Sequence, residues 1–270
     1  MSDTAVTRVV LLTSPSLMGA AIIQRLAAEP GLKLVGVGLT NRAFKNTGLL
    51  GTIWRVVRRS GWAYFRYAVL ESTISWLWLQ RRGQPAALKQ GTVPSHAVNE
   101  INSDETLQWL RSCQPDILIS FYFNQWIGPE VRRVAPRGCY NVHPSLLPAL
   151  RGPDPVFRAL ERGLPESGIT IHEVADEFDA GRIVHQARCA IDPGATHLAN
   201  LWTLITRGAD LVAGWISGRT PAAGAVVPTP VADYETFPKR SEVRRFLKAG
   251  HRLYRGSELR QILRSFLSEQ

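Results

Sequence analysis

Apolar residues fall along this chain in short unbroken runs, separated by stretches that repeat every three to four positions. Arg8 to Thr13 is apolar nearly throughout, as in a strand covered on both faces. Ser14-Pro15-Ser16 then opens a helix carrying Met18, Ile22, Ile23 and Leu26, and Leu32 to Val37 reads as a second buried strand. Strand, helix, strand predicts parallel pairing through a right-handed crossover. The first turn reads Thr-Ser-Pro-Ser-Leu-Met-Gly. It lacks the G-x-G-x-x-G fingerprint, which argues against a nicotinamide enzyme.

The same reading continues downstream. Asn102-Ser103-Asp104-Glu105 is a helix start, with Asn102 the expected N-cap and Glu105 three positions on. That helix carries Leu107 and Leu110 as far as Gln114-Pro115. Asp116 to Tyr122 is the next buried strand, Gly128-Pro129 begins a short helix, and Gly138 to His143 is a further strand. Ser167 to Val174 and Arg182 to Ala187 read as a hairpin or as neighbouring strands. Thr196 to Ser217 has the periodicity of a long helix, and Pro221 to Pro230 reads as a linker. The expectation is an α/β fold with a mostly parallel sheet flanked by helices. One domain spans 1–218, with a helical insertion at about 41–86. A linker and a short basic C-terminal appendage occupy 219–270.

Candidate chemistry lies at the end of the fourth expected strand, in Cys139-Tyr-Asn-Val-His-Pro-Ser-Leu-Leu-Pro-Ala-Leu-Arg-Gly152. Period-2 alternation puts Asn141 and His143 on one face. An amide and an imidazole aimed at one point suit a carbonyl that becomes an oxyanion. Pro144 and Pro148 stop regular structure and stiffen the loop. Asp179 follows in Val-Ala-Asp-Glu-Phe-Asp-Ala-Gly, between the two β-like runs. Taken singly, Asn141 would be a turn cap, His143 a satisfied buried histidine and Asp179 a hairpin residue.

Together these words resemble the folate-dependent formyltransferases, the family of glycinamide ribonucleotide transformylase, methionyl-tRNA formyltransferase and the sugar N-formyltransferases. The matching residues are Asn141-Val142-His143, Ser145-Leu146-Leu147-Pro148, Arg151-Gly152, and Asp179 with Gly181. The likeness covers roughly 7–40 and 88–215. It implies a Rossmann-like fold and transfer of a formyl group from N10-formyltetrahydrofolate to an amine, without a metal. Asn141 and protonated His143 would donate to the oxyanion. Asp179 would orient His143, keep positive charge on it, and help take the proton of the attacking nitrogen. The likeness also implies that the pterin lies between Phe123-Asn124-Gln125-Trp126-Ile127 and the loop holding Asp176, Glu177 and Phe178. There it would be recognised largely through backbone groups. For Trp126 and Phe178 the alternative is ordinary core packing.

Composition narrows the acceptor rather than naming it. Net charge is +10 and the sequence pI about 10.1, which suits an anionic partner. Cys113, Cys139 and Cys189 show no metal-ligand spacing and read as free thiols of a reducing compartment. The N-terminus lacks a basic n-region, and no apolar run reaches the ~18 residues of a membrane span. A cytoplasmic location is the expectation. Two stretches depart from the family's familiar enzymes. Residues 41–86 are basic and aromatic, which fits a helical pair packed on the domain or on a second subunit of a homodimer. A helix lying on a membrane surface across 51–84, or an acceptor lid, fits the same pattern. The tail from Phe237 to Arg260 is strongly basic and reads as a solvated face or a phosphate contact. The leading expectation is an N-formyltransferase acting on a nucleotide-linked amino sugar. Siderophore-type hydroxyornithine or another amine comes next, then a methionyl-tRNA formyltransferase-like enzyme, with nucleic acid ranked below a small acceptor. The runner-up class is a formyltetrahydrofolate hydrolase, and the third is a non-catalytic scaffold.

Overall fold

The structure is a computed structural model that describes residues 6–40, 49–71, 91–219 and 233–268, together with Leu77, Arg81 and Leu88. Trp76 and Trp78 of the aromatic insertion and the 221–230 linker lie outside the described residues. Seven strands form one sheet: β1 (Thr7–Thr13), β2 (Leu32–Thr40), β3 (Ser95–Val98), β4 (Ile117–Phe121), β5 (Cys139–His143), β6 (Glu166–Glu173) and β7 (Ile183–Ala190). Their order is β3-β2-β1-β4-β5-β6-β7. The first five run parallel, and β6 and β7 are antiparallel. The expected hairpin around Asp179 is therefore β6–β7. The strand order reverses between β1 and β4, the kind of switch point where open α/β sheets bind ligands beyond the strand C-termini.

Helices α1 (Leu17–Ala27), α2 (Leu49–Val69), α3 (Asp104–Cys113), α4 (Pro129–Arg132), α5 (Pro155–Glu161), α6 (His197–Ile216), α7 (Arg240–Lys248) and α8 (Gly256–Ser268) complete the described elements. Alternation along β1 sends Val9 and Leu11 into a large core with α1 and α6. It sends Val10 and Leu12 into a smaller one with Leu110, Ile127 and Val131. Each face is covered, which is why the strand reads as an unbroken apolar run. All three cysteines are free and buried, and burial pushes the Cys139 thiol up to about 12.

One helix start differs from the sequence expectation. The N-cap of α3 is Ser103, whose Oγ accepts the Thr106 N–H, not Asn102. Asn102 is used across the sheet end instead: its amide donates to the Trp126 carbonyl and accepts the Gly128 N–H at 2.7 Å. Both residues are good caps. The tertiary partner decided between them.

The insertion does contain a helix, but α2 is broken at Gly61, whose φ of +84° lies in the left-handed region. A side chain there would also meet Arg240. The half after the break buries Tyr64 and Tyr67 in the main core. The basic tail is not a detached arm. Val243, Phe246, Ile262 and Phe266 of α7 and α8 join that same core. Buried Arg158 of α5 ties the segment down through Glu161, Glu235 and Glu242, at 2.8, 2.9 and 3.1 Å.

Candidate active site

β5 delivers Asn141 and His143 at the C-terminal edge of the parallel strands, and β6 runs beside it with Asn141 opposite His172. Buried His172 determines how the Asn141 amide is turned. Its Nδ1–H donates to the Glu173 carbonyl at 2.8 Å, so Nε2 presents a lone pair. Asn141 Nδ2 donates to that lone pair at 3.1 Å. One N–H of the amide is thereby spent, and a carboxamide carries a second. Desolvation is the largest influence on His172, and with His143 and Arg151 nearby it brings the imidazole down to about 4. The ring is neutral near pH 7 and stays an acceptor.

His143 is buried. Its Nε2 donates to the Leu150 carbonyl at 3.1 Å, and its Nδ1 lies 3.4 Å from Asp179 Oδ1. Asp179 sits in the β6–β7 loop with φ +54° and accepts the Gly152 N–H on Oδ2 at 2.9 Å. Asp179 Oδ1 is also 3.8 Å from His172 Nε2. Asn141, His143 and Asp179 thus converge as the sequence expectation required. The expected direct donation from His143 to an oxyanion finds both ring nitrogens already facing protein acceptors.

The loop between β5 and α5 is pinned from β6 and β7. Thr170 Oγ1 donates to the Ser145 carbonyl and accepts the Leu147 N–H, and Gln186 Nε2 donates to Thr170 Oγ1 and the Leu147 carbonyl. The Leu147–Pro148 peptide bond is cis. The two motif glycines are required by close approach. A Cβ on Gly152, whose φ is +119°, would lie 1.9 Å from the Glu235 carbonyl oxygen, and one on Gly181 would lie 1.7 Å from that of Glu173. Glu235 also donates its N–H to the Arg151 carbonyl, so the chain beyond 232 closes one side of the site. Tyr234 stands next to Phe178 there, ring centres 6.0 Å apart. Burial pushes the Tyr234 hydroxyl up, and Asp179 adds to it. Arg151 is buried, donates to the Phe178 carbonyl at 2.6 Å and lies 3.5 Å from Glu177.

The two expected pterin walls meet: Trp126 Nε1–H donates to the Asp176 carbonyl at 3.0 Å. Trp126 and Phe178 are 40 and 47 % exposed, so neither is core packing. Ile127 is core instead, and Phe123 packs against the same smaller cluster. Gln125 is committed to the Ile101 N–H, Thr40 Oγ1 and the Val98 carbonyl. Asp176 pairs with Arg132. Two half-exposed rings beside loop backbone fit a flat heterocycle read through main-chain groups. Sequence reasoning missed His172, Thr170 and the 233–235 segment. The first two were in plain view at alternate positions of β6, but nothing in the sequence said that β6 lies beside β5.

Residues 79–203 match the profile of the formyl transferase family. The methionyl-tRNA formyltransferase of Thermotoga maritima is 40% identical over 111 residues, 41% of this chain and 36% of that protein. That of Thermotoga neapolitana is 42% identical over 104 residues, 38% and 33% of the two chains. The chain spans about a third of the length of these curated relatives. Among solved structures, the phosphoribosylglycinamide formyltransferase of Bacillus halodurans superposes with a TM-score of 0.55 at 19% identity, covering 78% of this chain and 94% of that one. A sugar N-formyltransferase from a Shewanella species gives 0.53 at 17%, covering 86% and 77%. At these identities the superpositions speak for the fold.

Proposed function

We propose that this chain, whose residues 79–203 match the formyl transferase profile, transfers a formyl group from N10-formyltetrahydrofolate to the amine of a small acceptor, a nucleotide-linked amino sugar. The observation that carries this reading is the convergence of Asn141, His143 and Asp179 at the end of β5, with His172 holding the Asn141 amide. The donor supplies an activated formyl carbon. The backbone of Phe123, Asn124, Gln125 and Ile127 with the exposed ring of Trp126 would line one side of its ring system, and Asp176, Glu177 and Phe178 the other.

The acceptor amine must attack as the neutral base. The second N–H of Asn141 meets the oxygen that gains charge during attack, a contact worth ~2.7–4 kcal/mol of barrier when lost. His143 in its protonated form supplies positive charge beside that oxygen while the Leu150 carbonyl and Asp179 hold its ring. Asp179 takes the proton that the attacking nitrogen loses, directly or through one water. That proton passes to N10 as the C–N10 bond breaks. Burial of His143 strengthens its interactions, and holding donor and acceptor together contributes the rest.

The choice of acceptor draws support from the net charge of +10, which suits a diphosphate-linked substrate. Mass spectrometry of nucleotide-linked amino sugars incubated with protein and N10-formyltetrahydrofolate tests it. A formylated sugar nucleotide is expected. Formylation of methionyl-tRNA alone would move the acceptor to the class of the Thermotoga relatives. Formate release without an amine product would make the chain a hydrolase.

A further inference from the structure

Between Glu29 and Glu100 the sequence has one acidic residue, Glu71, against ten Lys and Arg. Glu71 is buried, so it does not offset that charge at the surface. α2 lies inside this stretch. It exposes large apolar groups that a packed helix would cover. Leu50 is 81% exposed, Trp54 61% and Trp62 60%, and Leu77 beyond the helix is 54% exposed. Arg58 and Arg66 are exposed as well. The Arg58 guanidinium sits 4.9 Å over the Trp54 ring, which keeps charge and indole together. The basic surface runs on to α7. Arg240 lies against Gly61 at the break in α2, and Arg244, Leu247 and Lys248 of α7 are exposed.

We propose that the exposed side chains of the two halves of α2, Leu50, Trp54 and Arg58 before the break at Gly61 and Trp62 and Arg66 after it, dock the protein peripherally on an anionic lipid surface. Three features favour lipid over a nucleic acid. Leucines at 50 and 77 gain nothing from phosphates or base edges, but gain burial among acyl chains. Indoles sit well at the boundary between headgroup and hydrocarbon. Arginines bury their stems in that boundary while the guanidinium reaches the phosphate layer. No described helix is long and apolar enough to cross a membrane, so the contact is one of lying on the surface. The inference is independent of the formyl-transfer reading, because none of these side chains belongs to the site around Asn141.

The test is co-sedimentation with vesicles of phosphatidylcholine mixed with phosphatidylglycerol, against vesicles of phosphatidylcholine alone. Saturable sedimentation with the mixed vesicles only, weakening as salt is raised, is expected. Trp54→Ala with Trp62→Ala should abolish it at an unchanged melting temperature. Arg58→Ala and Arg66→Ala should each weaken it about fivefold. The proposal is overturned by any of three results. These are no sedimentation with the mixed vesicles, sedimentation indifferent to the two tryptophans, or a gel shift of an RNA hairpin that needs the same arginines while vesicles stay unbound.

Discussion

His143 Nδ1 stands 3.4 Å from Asp179 Oδ1, whereas His197 Nε2 stands 2.7 Å from Asp154 Oδ1. The two pairs use the same side chains to different ends. Asp154 is the N-cap of α5 and accepts the Phe157 N–H at 3.2 Å as well as the Tyr64 hydroxyl at 2.5 Å. Burial pushes its carboxyl up, but His197, Tyr64 and the Phe157 amide outweigh that, and it sits below the usual carboxylate range. Tyr67 packs edge-on against the His197 ring. That pair is buried and joins α2, α5 and α6, with His197 Nδ1 lacking a hydrogen-bond partner among the described residues. Asp179 instead sits on a loop at positive φ, with one short hydrogen bond from Gly152 and two imidazoles at 3.4 and 3.8 Å. A short pair with two further donors on its carboxylate fixes a framework. A loose one, at strand ends, leaves capacity for a substrate atom.

Each pair also has a titrating neighbour. His172 stands by the first. Glu71 stands near the second, 7% exposed, with one oxygen accepting the Tyr122 hydroxyl and Oε1 lacking a hydrogen-bond partner among the described residues. Desolvation, with Asp154 adding to it and the Tyr122 hydrogen bond opposing it, raises the Glu71 carboxyl to about 7.

The largest effect expected from this contrast is on stability. Asp154→Ala strands His197 and Tyr64 and removes a helix cap, so it should cost about 3–5 kcal/mol of unfolding free energy in urea titration. A loss below about 1 kcal/mol would mean the short pair is not a framework element. Next comes Asn141→Ala, which should lower kcat about 10²–10³-fold with the melting temperature unchanged. Full activity in that variant would show that the reaction does not run through this site.

The third prediction concerns pH. Glu71 has a raised pKa in the folded state, so the folded protein holds the extra proton between about pH 4.5 and 7. Stability from that group falls as pH rises through this window. His172 has a depressed pKa, so the unfolded chain holds the extra proton between about pH 4 and 6.5, and stability from it falls as pH drops. Tyr64, Tyr67, Tyr122 and Asp154 interact with Glu71 electrostatically; the tyrosines are pushed well above their usual value and Asp154 below its own, away from that window. Each of the two contributions is about 3 kcal/mol and they have opposite sign. His185, also lowered by burial, acts in the same direction as His172. Glu71→Gln should unmask stability that rises with pH, and His172→Asn stability that falls with it. Urea midpoints across both windows decide the matter. Equal slopes in both variants would sink the assignment of either neighbour.

The loose pair was far more legible in the sequence than the short one. Asn141, His143 and Asp179 stand in short local words with prolines and glycines at fixed places, because a site at strand ends needs stiff loops and close backbone approach. Gly152 and Gly181 each leave less than 2 Å for a Cβ, which explains why the words contain glycine. Asp154, Tyr64 and His197 come from three distant segments and carry no local pattern. Their meeting follows from α2 docking on α5 and α6. The exposure of Trp126 and Phe178 was equally invisible, since an aromatic in a loop looks the same whether it packs or protrudes.

The sequence alone determined most of the strands and helices, though not β3 or α5, their parallel order at the start, and the three groups near the end of β5, because period, proline and glycine are local properties of the chain. Tertiary structure decided which strand lies beside Asn141, which residue caps α3, which histidine is neutral, and how the segment beyond 232 returns to the site. Those outcomes depend on desolvation and on partners tens of residues away. Such quantities exist only once the chain has closed on itself.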